Sequence, residues 1–246
     1  MKREANYIIE KQGCIAVILI NNPPQNFILT PEFIPVHRIR KIADEKDIKG
    51  MVISGSGRHF SAGAGLDELF ILASNENKLN QEMGKGMELL TAISNLNIPV
   101  IAAVSGACFG GGLEIALSCH MRFSTPTAVF AFPEVLNNLM PGLGGIFRIN
   151  KKIGTSLSVQ TLLSGDIISA EKALSIGVVD NIPGKNVLEF SVNYLQQLLD
   201  SKPKEVIVSI MEALANAATL PMEDALRAET RLFCQLAAKE IERRKK

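Results

Sequence analysis

The chain has 246 residues, 47% of them hydrophobic and 21% charged, enough apolar material for a sizeable core and too much for a disordered chain. Lys and Arg number 26 against 25 Asp and Glu, a net charge of +1, and aromatic residues make up only 5% with no Trp. That balance excludes a general nucleic-acid or membrane-surface binder, which needs a basic face; the one basic cluster, Arg243 to Lys246, reads as a solvated helix end.

In chain order, Tyr7 to Glu10 and Cys14 to Ile20 are β-rich runs separated by a turn at Lys11-Gln12-Gly13, a hairpin pattern. The proline-interrupted stretch 21–26 reads as a loop. Thr30-Pro31 predicts a helix start, Thr as N-cap and Pro at the first helical position, followed by apolar Phe33, Ile34, Val36, Ile39 and Ile42. Gly50 to Ser54 predicts a short strand, 82–96 a helix and Val100 to Val104 a buried strand. Strands alternating with helices, and strands without an outward polar face, indicate an α/β class with parallel pairing. From Val187 the character changes: 188–199, 204–218 and 222–246 carry helical patterns with no strand between them, an all-α appendage.

Cysteines 14, 108, 119 and 234 share no short spacing and histidines 37, 59 and 120 are scattered, so neither a zinc site nor a disulfide framework is expected. The first residues carry Glu4 and Glu10 and no apolar run. The most apolar stretch, 98–119, is broken by glycines, Pro99 and Glu114, so neither a leader nor a membrane span is expected and the cytoplasm is the expected location.

Three glycine-rich loops remain: Gly55 to Gly65 (GSGRHFSAGAG), Gly106 to Glu114 (GACFGGGLE) and Pro141 to Gly145 (PGLGG). The second follows a strand, but its spacing is wrong for a dinucleotide-binding G-x-G-x-x-G, and no P-loop or G-x-S-x-G elbow occurs. What the loops offer is backbone. Gly110, Gly111 and Gly112 open an apolar helical run, and unpaired N–H groups at a helix start suit a negative oxygen. Glu114, one turn in, can lean back to the same spot, and its apolar neighbours would raise its pKa. The plainer reading is that the glycines allow close strand–helix packing and that Glu114 reaches solvent. A second carboxylate, Glu134, follows Pro133 between apolar neighbours, where a helix-terminal charge is the plainer reading.

The ordered set SAGAG (61–65), GACFGGGLE (106–114), FPE (132–134) and PGLGG (141–145) resembles the crotonase, or enoyl-CoA hydratase/isomerase, family. The segments 21–26 and 162–180 extend the resemblance over nearly the whole chain. It implies a repeated ββα core, here 1–186, with a C-terminal α-helical trimerisation region, 187–246, shortened by about one helix. It implies an acyl-CoA thioester substrate with coenzyme A carried by the substrate, no other cofactor, no metal, and a homotrimer or hexamer.

By resemblance, the amides of Ala64 and Gly111 form an oxyanion hole. Glu114 activates a water, Glu134 exchanges the proton at the α-carbon, and Gly142 orients the water. Asn26, Arg58, Ala62, Gly63, Gly65, Leu66 and Gly110 match substrate-binding positions; Arg58 would face the CoA phosphates, although a solvent-facing loop arginine reads as well. Three positions depart from the pattern. Gly65 stands where Asp is usual after the oxyanion alanine, His120 where Asp is common, and Asn138 where glycine is frequent, Asn being the next best residue for a left-handed backbone. With both glutamates present, hydration of a 2,3-enoyl-CoA is the expected reaction. The alternatives are an enoyl-CoA isomerase, a hydrolase or decarboxylase on the same fold, or a non-catalytic acyl-CoA-binding homologue.

Overall fold

A computed structural model describes residues 6–245. Strands β1 (Tyr7–Gln12) and β2 (Ile15–Ile20) form an antiparallel hairpin closed at Gly13, whose φ of +59° suits a residue without a side chain. The next strands, β3 (Gly50–Gly55), β4 (Val100–Val104) and β6 (Met121–Ser124), add in parallel, giving a five-stranded sheet in the order β1-β2-β3-β4-β6. A smaller sheet pairs β5 (Ala107–Phe109) parallel to β7 (Val129–Ala131), with β8 (Ile168–Ser169) antiparallel at its edge.

The unit is ββα, and it repeats. In β4–β5–α4 (Gly111–Ser118) and in β6–β7–α5 (Gly145–Ser164), the first strand enters the large sheet and the second the small one. After β3 the second strand shrinks to one bridge, Ser61 to Cys108, before helices α2 (Leu66–Ala73) and α3 (Glu76–Ser94). Every copy therefore turns from one sheet to the other at the same end of the molecule, and the three glycine-rich loops gather there.

Strands β2, β3, β4 and β6 of the large sheet are buried on both faces, and their two-residue period divides the core. Ala16, Ile18, Ile20, Met51, Ile53, Ala102 and Val104 point to the side covered by α1 (Val36–Asp44), α3 and α4. Ile15, Val17, Val52, Ile101, Ala103 and Phe123 point to the other side. There they meet Val187, Val192, Leu195 and Leu199 of α7 (Val187–Leu199), and Phe123 packs edge-on against Phe190 and Tyr194. Helix α7 is thus the second cover of the sheet rather than part of an appendage, because strands apolar on both faces need apolar partners on both. Helices α8 (Lys204–Thr219) and α9 (Met222–Arg244) pack on each other and leave Ile210, Leu214, Leu226, Phe233 and Ile241 exposed. Among the described residues no helix is long and apolar enough to cross a membrane.

Three local expectations change. The helix predicted from Thr30-Pro31 begins at Val36, because Pro35 holds an extended ψ of 134°; the Glu32 carboxylate, not Thr30, accepts from the Val36 amide at 2.9 Å. The helix expected over 82–96 starts at Glu76, where the Asn75 side chain caps the Lys78 amide at 3.0 Å. Helix α2 was not expected at all. Asn138 does take the left-handed conformation, at φ +57°, and ends the 3₁₀ turn Pro133–Asn137.

Candidate active site

The loops enclose a cavity of about 680 Å³. Ala62, Gly63, Ala64, Gly65 and Leu66 line it from the first loop, Gly110, Gly111 and Glu114 from the second, Glu134 from the 3₁₀ turn and Gly142 from the third. Ten of the twelve residues singled out from sequence therefore share one concavity. Its remaining wall is largely apolar, with Leu69 and Leu72 from α2, Leu79 and Met83 from α3, and Leu139 and Met140 from the loop before Pro141.

Asn26 and Arg58 are the two that do not line it. Asn26 is fully buried beneath the first loop in a left-handed conformation (φ +52°). Its side-chain amide donates to the carbonyls of Ser56 (2.8 Å) and His59 (2.7 Å), and its own carbonyl accepts from Ser61 Oγ at 2.7 Å. It splices two loops together, and its neighbours Phe27, Ile28 and Leu29 reach the cavity instead. Arg58 is exposed on the outer side of its loop, which His59 holds to β5 by accepting the Ala107 amide at 3.0 Å.

Ala64 and Gly111 come together by direct loop packing. The first loop hangs on Ile28, which donates to the Gly63 carbonyl at 2.9 Å and bridges to Ala64. Helix α4 opens against it. Its first intrahelical bond runs from the Glu114 amide to the Gly110 carbonyl at 2.9 Å, so the amide of Gly111 lies ahead of the helical ladder at the positive end of the helix.

The two carboxylates live differently. Glu114 is 2% exposed, and one oxygen, Oε1, accepts two backbone amides of the third loop, Leu143 at 2.7 Å and Gly145 at 2.8 Å. A Cβ at residue 145 would stand 2.9 Å from Glu114 Cγ and Oε1, so glycine is required for this approach. Burial raises the Glu114 pKa from the usual carboxylate value; the two amides and the nearby Arg148 guanidinium oppose the rise. Glu134 sits over Gly110, where a Cβ would lie 2.8 Å from its Oε1, and its Oε2 is buried with no partner. Burial, reinforced by the charge of Glu114, pushes Glu134 up to about 7. One cavity thus holds a carboxylate braced by two amides beside one, raised to about 7, that no side-chain partner braces.

Sequence reasoning singled out Gly142 in the third loop and missed the donors beside it, Leu143 and Gly145, together with Arg148. The glycine pair 144–145 was the available signal, but a backbone amide carries no residue-type signature. At the Gly65 departure the space is taken: a Cβ there would run into Glu68 Oε2, so the carboxylate of α2 covers the glycine. Among the described residues no three His, Cys, Asp or Glu side chains are grouped to hold a metal ion.

Repeated ββα units crossing between two sheets, with a cavity at their shared turns, define the crotonase-type class of α/β proteins. The chain belongs to the enoyl-CoA hydratase/isomerase family, whose model matches residues 10–245. It is 30% identical over 222 residues to the "Probable enoyl-CoA hydratase" of Bacillus subtilis (strain 168), covering 89% of this chain and 85% of that protein. The crystal structure of an enoyl-CoA hydratase subunit I from Geobacillus kaustophilus HTA426 superposes with a TM-score of 0.83 at 28% identity, over 97% of this chain and 92% of that one. An enoyl-CoA hydratase from Thermoplasma volcanium GSS1 gives 0.82 at 26% identity, over 96% and 94%.

Proposed function

We propose that the protein adds water across the 2,3 double bond of an enoyl-CoA thioester. The observation that carries this reading is the pair Glu114 and Glu134 on one cavity, one braced by two amides and the other titrating near 7. The thioester oxygen accepts from the amides of Ala64 and Gly111, where negative charge develops as the enolate forms; each such donor stabilises that charge by about 3 kcal/mol. Glu114, ionised, takes a proton from water as its oxygen bonds to C3, and the Gly142 amide helps to orient that water. Glu134, protonated, delivers the proton to the α-carbon, after which the two exchange protons through solvent. Coenzyme A belongs to the substrate, and no separate cofactor is needed. The apolar wall from Leu69 to Met140 fits a hydrocarbon acyl chain better than a charged one. The exposed apolar side chains of α8 and α9 suit assembly into a homotrimer or hexamer.

A second reading, migration of the double bond, draws on Glu134 alone: a carboxyl titrating near 7 is able to shuttle a proton between two carbons. Incubation with short-, medium- and branched-chain 2-enoyl-CoA and 3-enoyl-CoA thioesters, with product masses, separates the two. A gain of one water from the 2-enoyl series supports hydration; an isomer of unchanged mass from the 3-enoyl series, with no hydration, supports migration.

A further inference from the structure

Arg148 is out of place by the rules of helix electrostatics. It lies in the first turn of α5, the positive end of the helix, where a cation is unfavourable. Its side chain leans back towards the N-terminus, as helical side chains do, and Nη1 donates to the Leu143 carbonyl at 2.6 Å. The N–H of that same residue donates to Glu114 Oε1 at 2.7 Å. The space for the guanidinium is built in: Gly144 has φ +87°, and a Cβ there would stand 2.5 Å from Nη1. A half-buried cation is thus anchored on the loop that grips the carboxylate, at the peptide unit between the two amides that do so.

We propose that Arg148 is a positioning residue for Glu114: bonded to the Leu143 carbonyl, it fixes the two-amide cradle and supplies the positive field that keeps Glu114 an anion in an apolar cavity. The inference rests on the reading of Glu114 as the base. The Leu143 carbonyl belongs to the peptide unit between the two donating amides, so the bond from Arg148 fixes the orientation of the segment that carries both. Burial raises the Glu114 pKa and lowers that of Arg148, and the attraction between the two charges opposes both shifts. The other groups around Glu114 do not replace it. Glu134, across the cavity, opposes ionisation; Cys119, at the end of α4, is a thiol pushed up to about 12 and stays neutral. Arg122 acts on Cys119, and α3, packed across α4, contributes apolar Leu89, Leu90 and Ile93 to the shared core.

The test is the pH dependence of enoyl-CoA hydration in Arg148→Met and Arg148→Lys, beside Glu114→Gln. For Arg148→Met the acid limb of kcat/KM moves up by about one pH unit. Its kcat falls about 10- to 100-fold, with KM within about threefold because the apolar wall is untouched. Arg148→Lys, which keeps the charge without the planar fork, returns the limb towards wild type while kcat stays low. Arg148→Gln removes the charge but keeps a polar donor in the same place and moves the limb the same way, which carries the test should Arg148→Met not fold. A lowered kcat with an unmoved limb in both Arg148→Met and Arg148→Gln, or Arg148→Lys no closer to wild type than Arg148→Met, overturns the proposal. If Glu114→Gln itself hydrates at the wild-type rate, the underlying reading of Glu114 fails instead.

Discussion

Helix α4 carries a buried polar cluster at each end, and the two are built to opposite plans. At its C-terminal end Arg122, 1% exposed, has a partner on every guanidinium nitrogen: it donates to the carbonyls of Val178 and Cys119, each at 2.8 Å, and pairs with Asp180 at 2.6 Å. His120 beside it accepts the Val100 amide at 3.0 Å. At the N-terminal end Glu114 bonds through one oxygen, and Glu134 keeps a buried oxygen with no partner. Saturated polar groups hold a fold together, whereas hydrogen-bonding capacity left open over a cavity is capacity for a substrate. Burial alone does not distinguish the two ends, nor does an unpartnered atom by itself, since Ser124 Oγ in β6 is also buried without a partner; what marks the N-terminal end is that its open atom belongs to a residue lining the cavity.

The sharpest way to break this contrast is to alter one group at each end. Glu134→Gln is expected to cut hydration at pH 7 by about 10²- to 10⁴-fold while the melting midpoint moves by no more than about 2 °C, since the carboxylate brings no bond that stability depends on. Steady-state kinetics with a thermal melt checks both halves. Arg122→Met is expected to do the reverse, lowering unfolding free energy in urea by about 3–5 kcal/mol because it strands two carbonyls and Asp180.

His120 gives the next effect. Burial lowers its pKa to about 4 from an ordinary 6.5, so between those values the unfolded chain binds the proton that the folded one refuses. Stability is therefore complete above pH 6.5 and falls by about 3 kcal/mol as pH drops to 4. His120→Asn should flatten that part of the urea-midpoint profile.

Smaller still is the alkaline limb of the rate. If Glu134 must be protonated, kcat/KM falls above pH 7, approaching tenfold per pH unit, and the limb vanishes in Glu134→Gln. Least of all, Gly65→Asp should change kcat/KM by no more than about threefold, because Glu68 is solvent-exposed and swings away to admit the new side chain.

Much of the site was legible because glycine spacing and two isolated carboxylates are marks of residue type. The α/β class with parallel pairing followed from strands with no polar face, and the ββα repeat only from the family resemblance that the ordered loops carry. Three things were not legible. The grip on Glu114 comes from amides of Leu143 and Gly145, and every residue but proline owns an amide, so only the fold says which ones point inward. Asn26 looked like a substrate contact and is a buried splice, since its three side-chain bonds run to backbone 4 to 33 positions away. Helix α2 went unread because Phe70 and Ile71 face outwards, which blurs the apolar period. The place of α7 on the back of the sheet was equally hidden, because an amphipathic helix does not name the surface it covers.

Water addition at the open end of α4 would place an oxygen from solvent on the product. The most direct test supplies a 2-enoyl-CoA in heavy-oxygen water to the wild type and to Glu114→Gln and weighs the product. A 3-hydroxyacyl-CoA carrying one heavy oxygen, formed by the wild type and lost in the Glu114→Gln variant with its melting temperature retained, is the predicted result. Product of unchanged mass, or the same labelled product formed as fast by Glu114→Gln, would contradict it.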